Sequence, residues 1–133
     1  MSDAIRLDHV GVAVRSIAAA RGFYELMGFE VGAAEEIAHE AVRVAMVPMD
    51  GSRVELIEAT AEDSVIGRFV ARRGEGVHHL AVRVDGVDAE FERLRAAGVR
   101  MASENVKVGA GGHRYFFVHP ESTGGVLMEV VGE

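Results

Sequence analysis

Two stretches of this chain alternate in the manner of β-strands, and they repeat one another. In Leu7-Asp8-His9-Val10-Gly11-Val12-Ala13-Val14 and in Val77-His78-His79-Leu80-Ala81-Val82-Arg83-Val84, β-branched residues recur and successive side chains take opposite faces. His79 therefore shares a face with Ala81 and Arg83, and His78 points the other way. At a constant offset His9 falls under His79, Gly11 under Ala81 and Ala13 under Arg83. The register continues without a gap: Ile17 under Val87, Tyr24 under Leu94, Gly28 under Gly98 and Phe29 under Val99. So long a match at one offset reads as an internal duplication of a strand–helix–strand unit.

The remaining pattern fills out each copy. After a strand at residues 5–14, Ser16 can cap a helix that runs to about Met27 and ends at Gly28, with Ile17, Ala20, Tyr24 and Met27 as its apolar stripe. Residues 29–33 read as a short strand, and residues 41–49 as another. Asp50-Gly51 is a hairpin turn, and residues 53–59 are the returning strand. Ser64 caps a connecting helix over about residues 64–73, closed by Gly74. In the second copy, residues 77–84 are a strand, and Asp85 or Gly86 leads into a helix with Val87, Phe91 and Leu94 on one side, ending at Gly98. Residues 99–102 read as a short strand and 103–112 as a glycine-bearing loop. Residues 114–119 and 126–131 are the last strands, joined by a turn at 120–125. The expectation is an α+β fold over residues 1–133 as one domain. Two duplicated βαβββ modules, at about 5–60 and about 76–133, present curled mixed sheets that enclose a metal-binding cleft.

Composition narrows the chemistry. At 133 residues, about half of them apolar, the chain can bury one sizeable core. A net charge of −7 disfavours nucleic acid and anionic membrane as partners. There is no cysteine, so neither a disulfide nor a thiolate ligand is available and any metal must rest on His and carboxylate. Met1-Ser2-Asp3-Ala4 lacks the character of a signal peptide, and no apolar run reaches spanning length, so a soluble cytoplasmic protein is expected.

The last strand of each module carries an acid among apolar neighbours: Glu55 in Val54-Glu55-Leu56-Ile57 and Glu129 in Leu127-Met128-Glu129-Val130. His9 to Glu55 spans 46 residues and His79 to Glu129 spans 50, so the spacing nearly repeats with the sequence. One histidine in a strand is usually a hydrogen-bonded core or surface residue. One acid in a last strand is usually an edge residue. Four such residues at duplicated positions point instead to a shared divalent site, because a carboxylate in an apolar strand is costly to bury unless a cation meets it. Two imidazoles with carboxylate oxygen suit Co, Mn, Fe, Ni or Zn. His39, His78, His113 and His119 have no duplicate and read as structural or as supporting groups.

These motifs, together with Gly74-Glu75-Gly76-Val77-His78-His79, the helix start Asp63-Ser64-Val65-Ile66, and the Gly109-Ala110-Gly111-Gly112 loop before His119-Pro120, resemble the vicinal oxygen chelate superfamily over nearly the whole chain. Within it the resemblance is to the methylmalonyl-CoA epimerase family. The resemblance implies paired βαβββ modules, a divalent metal with Co2+ favoured, and interconversion of (2R)- and (2S)-methylmalonyl-CoA through a metal-stabilised enolate. It implies His9, His79 and Glu129 as metal ligands and Glu55 at a position that some members fill with a ligating Gln. Some members carry a glutamate in the third strand as one base; here that position is Val44, which cannot move a proton. Glu129 is then the candidate to combine ligand and base roles, and the second acid/base is open.

Coenzyme A brings phosphates. Lys107, the only lysine, and Arg114 flank the glycine loop and are candidates to bind them; solvated charges on a flexible loop are the plain alternative. The expected partners are an acyl-CoA thioester and, from exposed sheet edges, a second copy in a homodimer. Other readings of the same motifs are a glyoxalase-I-like lactoylglutathione lyase, a ring-cleaving dioxygenase using Fe(II), and a metal-free small-molecule-binding member. Proton exchange with each substrate, oxygen uptake with a catechol, and metal content after dialysis discriminate them.

Overall fold

The computed structural model describes residues 5–109 and 112–132. The leader reading at residues 1–4 and the middle of the glycine loop, Ala110 and Gly111, lie outside the described residues. The chain forms two compact units. The first is His9–His78, and the second takes residues 79 onward together with the start of the chain through Asp8.

The first unit carries β1 (Arg6–Val14, from His9 on), α1 (Ile17–Met27), β2 (Glu35–Ile37), β3 (Val42–Met49), β4 (Ser52–Ala59) and α2 (Val65–Arg73). Its strands lie in the order β2-β3-β4-β1. β1 and β4 run parallel and the other neighbours antiparallel. Met49 pairs with Ser52 around the expected Asp50-Gly51 turn. The Ser16 hydroxyl accepts the Ala19 N–H at 3.2 Å, and the Glu58 carboxylate accepts the Ile17 N–H at 2.8 Å, so two oxygens satisfy the open start of α1. α1 ends at Gly28 with φ 104°, a left-handed conformation that favours glycine, and its duplicate Gly98 has φ 90°. Ser64 caps α2 as expected, accepting the Gly67 N–H at 3.0 Å.

Two apolar layers sandwich this sheet. Val14, Ile17, Ala45, Val47 and Leu56 pack on the α1 face, and Ala13, Val42, Val44, Ile57 and Ile66 on the α2 face. The stripe on α1 is shorter than expected. Ile17, Ala20 and Tyr24 join the core, but Met27 is 64% exposed in the last turn. Residues 29–33 do not form the expected strand. They keep one sheet-like bond, Gly32 N–H to the Met46 carbonyl, and Arg21 takes the carbonyls of Val31 and Gly32 that a neighbouring strand would otherwise use. The second strand of the module begins later, at Glu35.

The second unit carries β5 (Gly76–Arg83, from His79 on), α3 (Val87–Ala96), β6 (Lys107–Val108), β7 (Arg114–Val118) and β8 (Met128–Gly132), with strand order β5-β8-β7-β6. β5 and β8 are parallel, and β7 is antiparallel to both its neighbours. α3 has Asp88 and Glu90 in its first turn and Arg93 and Arg95 in its last, the arrangement that opposes the helix dipole. Its Val87 and Phe91 are buried with Val84, Phe116, Val118 and Val130, and Leu94 packs at the margin. Residues 99–102 fall short of a strand: Met101 makes a single bridge to Val118, the Arg100 N–H goes to the Ser122 hydroxyl, and Ala102 and Ser103 share the Phe117 carbonyl. The pairing segment lies instead inside the expected 103–112 loop, where Lys107 and Val108 pair with Tyr115 and Arg114. Among the described residues no helix is long and apolar enough to cross a membrane.

The units are built alike in register. Gly11 stands opposite Glu55 in one, and Ala81, its duplicate, opposite Glu129 in the other. On the next strand Met46 opposes Glu55 and Phe117 opposes Glu129. The duplication read along the chain is therefore also a duplication of strand pairing.

Candidate functional site

Each unit brings one histidine to one carboxylate by the same construction. In the second unit His79 stands on β5, two residues before Ala81, and Glu129 lies opposite Ala81 on parallel β8. Residues two apart on a strand share a face, so the two side chains meet diagonally. His79 Nε2 is 3.4 Å from Glu129 Oε1, and both residues are buried, at 7% and 8% exposure. In the first unit His9 stands two residues before Gly11, and Glu55 lies opposite Gly11 on parallel β4. His9 Nδ1 is 3.4 Å from Glu55 Oε2, with His9 buried and Glu55 nearly so.

That spacing has a chemical meaning. A charge-assisted N–H···O bond settles at about 2.7–2.9 Å, so 3.4 Å is long for one. Two donors that each sit about 2.0–2.2 Å from one ion, at octahedral to tetrahedral angles, are about 3.0–3.5 Å apart. Both pairs have the separation of co-ligands. The donor types, imidazole nitrogen and carboxylate oxygen, suit a divalent ion of the first transition series.

The walls of the two pairs differ. Phe117, on β7 opposite Glu129, stands edge-on to the His79 ring at 5.9 Å between centroids, and Tyr115 stands edge-on to Phe117 at 6.1 Å. Lys107 pairs with Tyr115 across β6 and β7, so the register puts it on the same face at the outer edge of that sheet. In the first unit Met46 opposes Glu55. Arg53, two residues before Glu55 on the same face, donates its Nε–H to Glu55 Oε2 at 2.9 Å and holds Nη2 2.8 Å from that oxygen. Val44 is buried among Ala13, Ile57 and Ile66, part of the packing under α2. The matching register position in the second unit is Tyr115.

Arg114 faces elsewhere. It alternates with Tyr115, so it lies on the α3 side of its sheet, where both its Nε (2.7 Å) and its Nη2 (2.8 Å) bond the Asp88 carboxylate. Those hydrogen bonds hold the Asp88 carboxyl below the usual carboxylate range, and Asp88 raises Arg114 in return. The α3 side also carries an apolar cavity of ≈ 300 Å³ lined by Val82, Val84, Leu94, Val99 and Met128 among others. By strand parity this is the face opposite His79 and Glu129.

The unduplicated histidines have local duties. His78 packs edge-on to Phe69 at 4.9 Å, His119 Nδ1 accepts the Glu121 N–H at 3.0 Å in a 3₁₀ turn, and His113 lies beside Tyr115. His39 is exposed next to Glu40. Sequence reasoning missed Arg53, Phe117 and Tyr115. Strand parity alone puts Arg53 on the face of Glu55, so that signal was available; Phe117 needed the β7–β8 register.

Comparison with known proteins gives the family. The sequence profile of the Glyoxalase/Bleomycin resistance protein/Dioxygenase superfamily matches residues 8–117. The mitochondrial methylmalonyl-CoA epimerase of Bos taurus is 35% identical over 127 residues, covering 94% of this chain and 73% of that protein. The ethylmalonyl-CoA/methylmalonyl-CoA epimerase of Cereibacter sphaeroides is 34% identical over 128 residues, covering 94% of this chain and 96% of its own. A solved methylmalonyl-CoA epimerase in complex with methylmalonyl-CoA and NH4+ superposes with a TM-score of 0.87 at 38% identity, covering 96% of this chain and 94% of that one. The chain belongs to the glyoxalase/bleomycin resistance protein/dioxygenase superfamily and, within it, to the methylmalonyl-CoA epimerase family.

Proposed function

We propose that this protein is a metal-dependent epimerase that interconverts (2R)- and (2S)-methylmalonyl-CoA, with His9, His79, Glu129 and Glu55 holding one divalent ion and Glu129 moving the α-proton. The observation that carries the reading is the imidazole–carboxylate pair built at the same strand register in both units, at 3.4 Å each time, in a chain of this family. His9, His79 and Glu129 are each buried, and each offers an imidazole nitrogen or a carboxylate oxygen, the donor types that hold a divalent ion. Cobalt is the ion the resemblance favours.

The substrate proton sits on carbon between a thioester and a carboxylate. Its removal leaves negative charge on the thioester oxygen. When bound, a divalent ion supplies a Lewis acid for that charge. The chain's own part is to hold, shield and transfer. Glu129 offers a carboxylate oxygen as proton acceptor, and its burial beside Phe117 limits competing exchange with bulk water. Phe117 presses edge-on against His79 and limits rotation of its ring. Val44 has no proton to give, so the acid/base group for the opposite face of the planar intermediate does not come from that strand position.

Lys107 is the proposed contact for a coenzyme A phosphate, on the strength of its register beside Tyr115. Lys107→Ala is expected to raise the KM for the acyl-CoA with little change in kcat; an unchanged KM removes Lys107 from binding. The same reading takes the chain as a cytoplasmic homodimer.

The test of the function is exchange of the α-proton of methylmalonyl-CoA in deuterated water. Metal-loaded protein should wash deuterium into the α-position of both epimers, and metal-stripped protein should not. Exchange on a glutathione hemithioacetal without exchange on methylmalonyl-CoA would point to the lyase reading.

A further inference from the structure

We infer that Arg53 sets the charge of the metal centre by neutralising Glu55, so that Glu55 contributes an oxygen donor without contributing a net negative charge. The inference rests on the proposed metal site and concerns three residues of one unit, His9, Arg53 and Glu55.

The geometry is specific. Arg53 donates its Nε–H to Glu55 Oε2 at 2.9 Å, and its Nη2 lies 2.8 Å from the same oxygen. His9 Nδ1 faces the same oxygen at 3.4 Å. One carboxylate oxygen therefore stands between a permanent cation and an imidazole. A guanidinium carries a delocalised positive charge and forks onto carboxylates. The Glu55 side chain is only 13% exposed, which leaves little water to screen the pair.

The consequence follows from charge counting. Alone, Glu55 would bring one negative charge to a divalent centre; paired with Arg53 it brings none, and a more positive centre stabilises a developing oxyanion better. The same positive charge weakens the hold on the ion itself. Arg53 acts through Glu55 and is a positioning residue. Arg53 and Glu55 alternate with Val54 on β4, so the pair costs the fold nothing beyond the side chains.

Arg53→Met keeps much of the stem and removes the charge. Mn2+ affinity, read by calorimetry or by the loss of free-ion paramagnetic resonance signal, should tighten about tenfold, the size usual for groups that contact a metal ligand. kcat at saturating metal should fall by a similar factor with KM little changed. Pairing Arg53→Met with Glu55→Gln removes both charges and should return affinity and kcat toward the parent. An Arg53→Met protein with unchanged or weaker Mn2+ binding, or a double variant that does not recover, overturns the inference. A parent protein that binds no Mn2+ would overturn the metal site itself, a result distinct from either.

Discussion

Glu129→Gln is expected to lower turnover of methylmalonyl-CoA by about 10²–10⁴-fold, the contribution typical of a positioned general base, while metal affinity falls far less, by about tenfold for the one negative charge removed. Glutamine keeps the length, shape and one carbonyl oxygen of glutamate, so it can still face His79 and still donate to an ion. It cannot accept the α-proton. The position is closed around the side chain, with Ala81 and Phe117 as its strand partners on either side, so no solvent carboxylate easily substitutes for it. Metal analysis and deuterium wash-in on the same preparation separate the two roles. A variant with full turnover would take Glu129 out of the chemistry, and one that loses metal and turnover together would leave it a ligand only.

Phe116→Ala should have the largest effect on stability, about 3–5 kcal/mol, as for other large buried aromatics. Phe116 is 0% exposed, meets Phe91 edge-on at 5.1 Å, and is the largest of the completely buried side chains. It ties β7 to α3, with Val84, Val87, Val118 and Val130 around it, all smaller than the lost ring. Against a total of about 5–15 kcal/mol for an ordinary domain, the loss is a large share, and urea unfolding followed by circular dichroism measures it. An effect under about 1 kcal/mol would mean that the cluster repacks around the gap. Phe117, the next residue, faces the other side of the sheet and belongs to the candidate site instead.

This division between neighbours shows what pattern can carry. The offset that aligns His9 with His79 and Gly11 with Ala81 was visible in the chain because strand parity is a local property, dictated by the alternation of Cβ directions. The helix caps at Ser16 and Ser64 and the hairpin at Asp50-Gly51 were visible for the same reason: each is settled by a few adjacent residues. The pairing of each histidine with its carboxylate was also readable, because the two positions recur at nearly the same separation in both copies.

Apart from Met27, which lies outside the core in the last turn of α1, the misses were matters of competition for hydrogen bonds or of register. Residues 29–33 and 99–102 have strand-like composition, but Arg21, Ser122 and shared carbonyls take the groups that a ladder needs. Lys107 and Val108 look like loop residues and pair because β7 lies within reach. Arg114 lies on the α3 side of β7 and bonds Asp88 there, a contact that the sequence pattern did not predict.

By itself, then, the amino-acid order determined the duplicated βαβββ plan, the absence of thiolate chemistry, and the two imidazoles and two acids at matched positions, since each depends on composition or on neighbours along the chain. Only the tertiary structure decided that Phe117 would brace His79 and that Val44 would be packed away under α2, because each depends on which elements lie side by side and in what register.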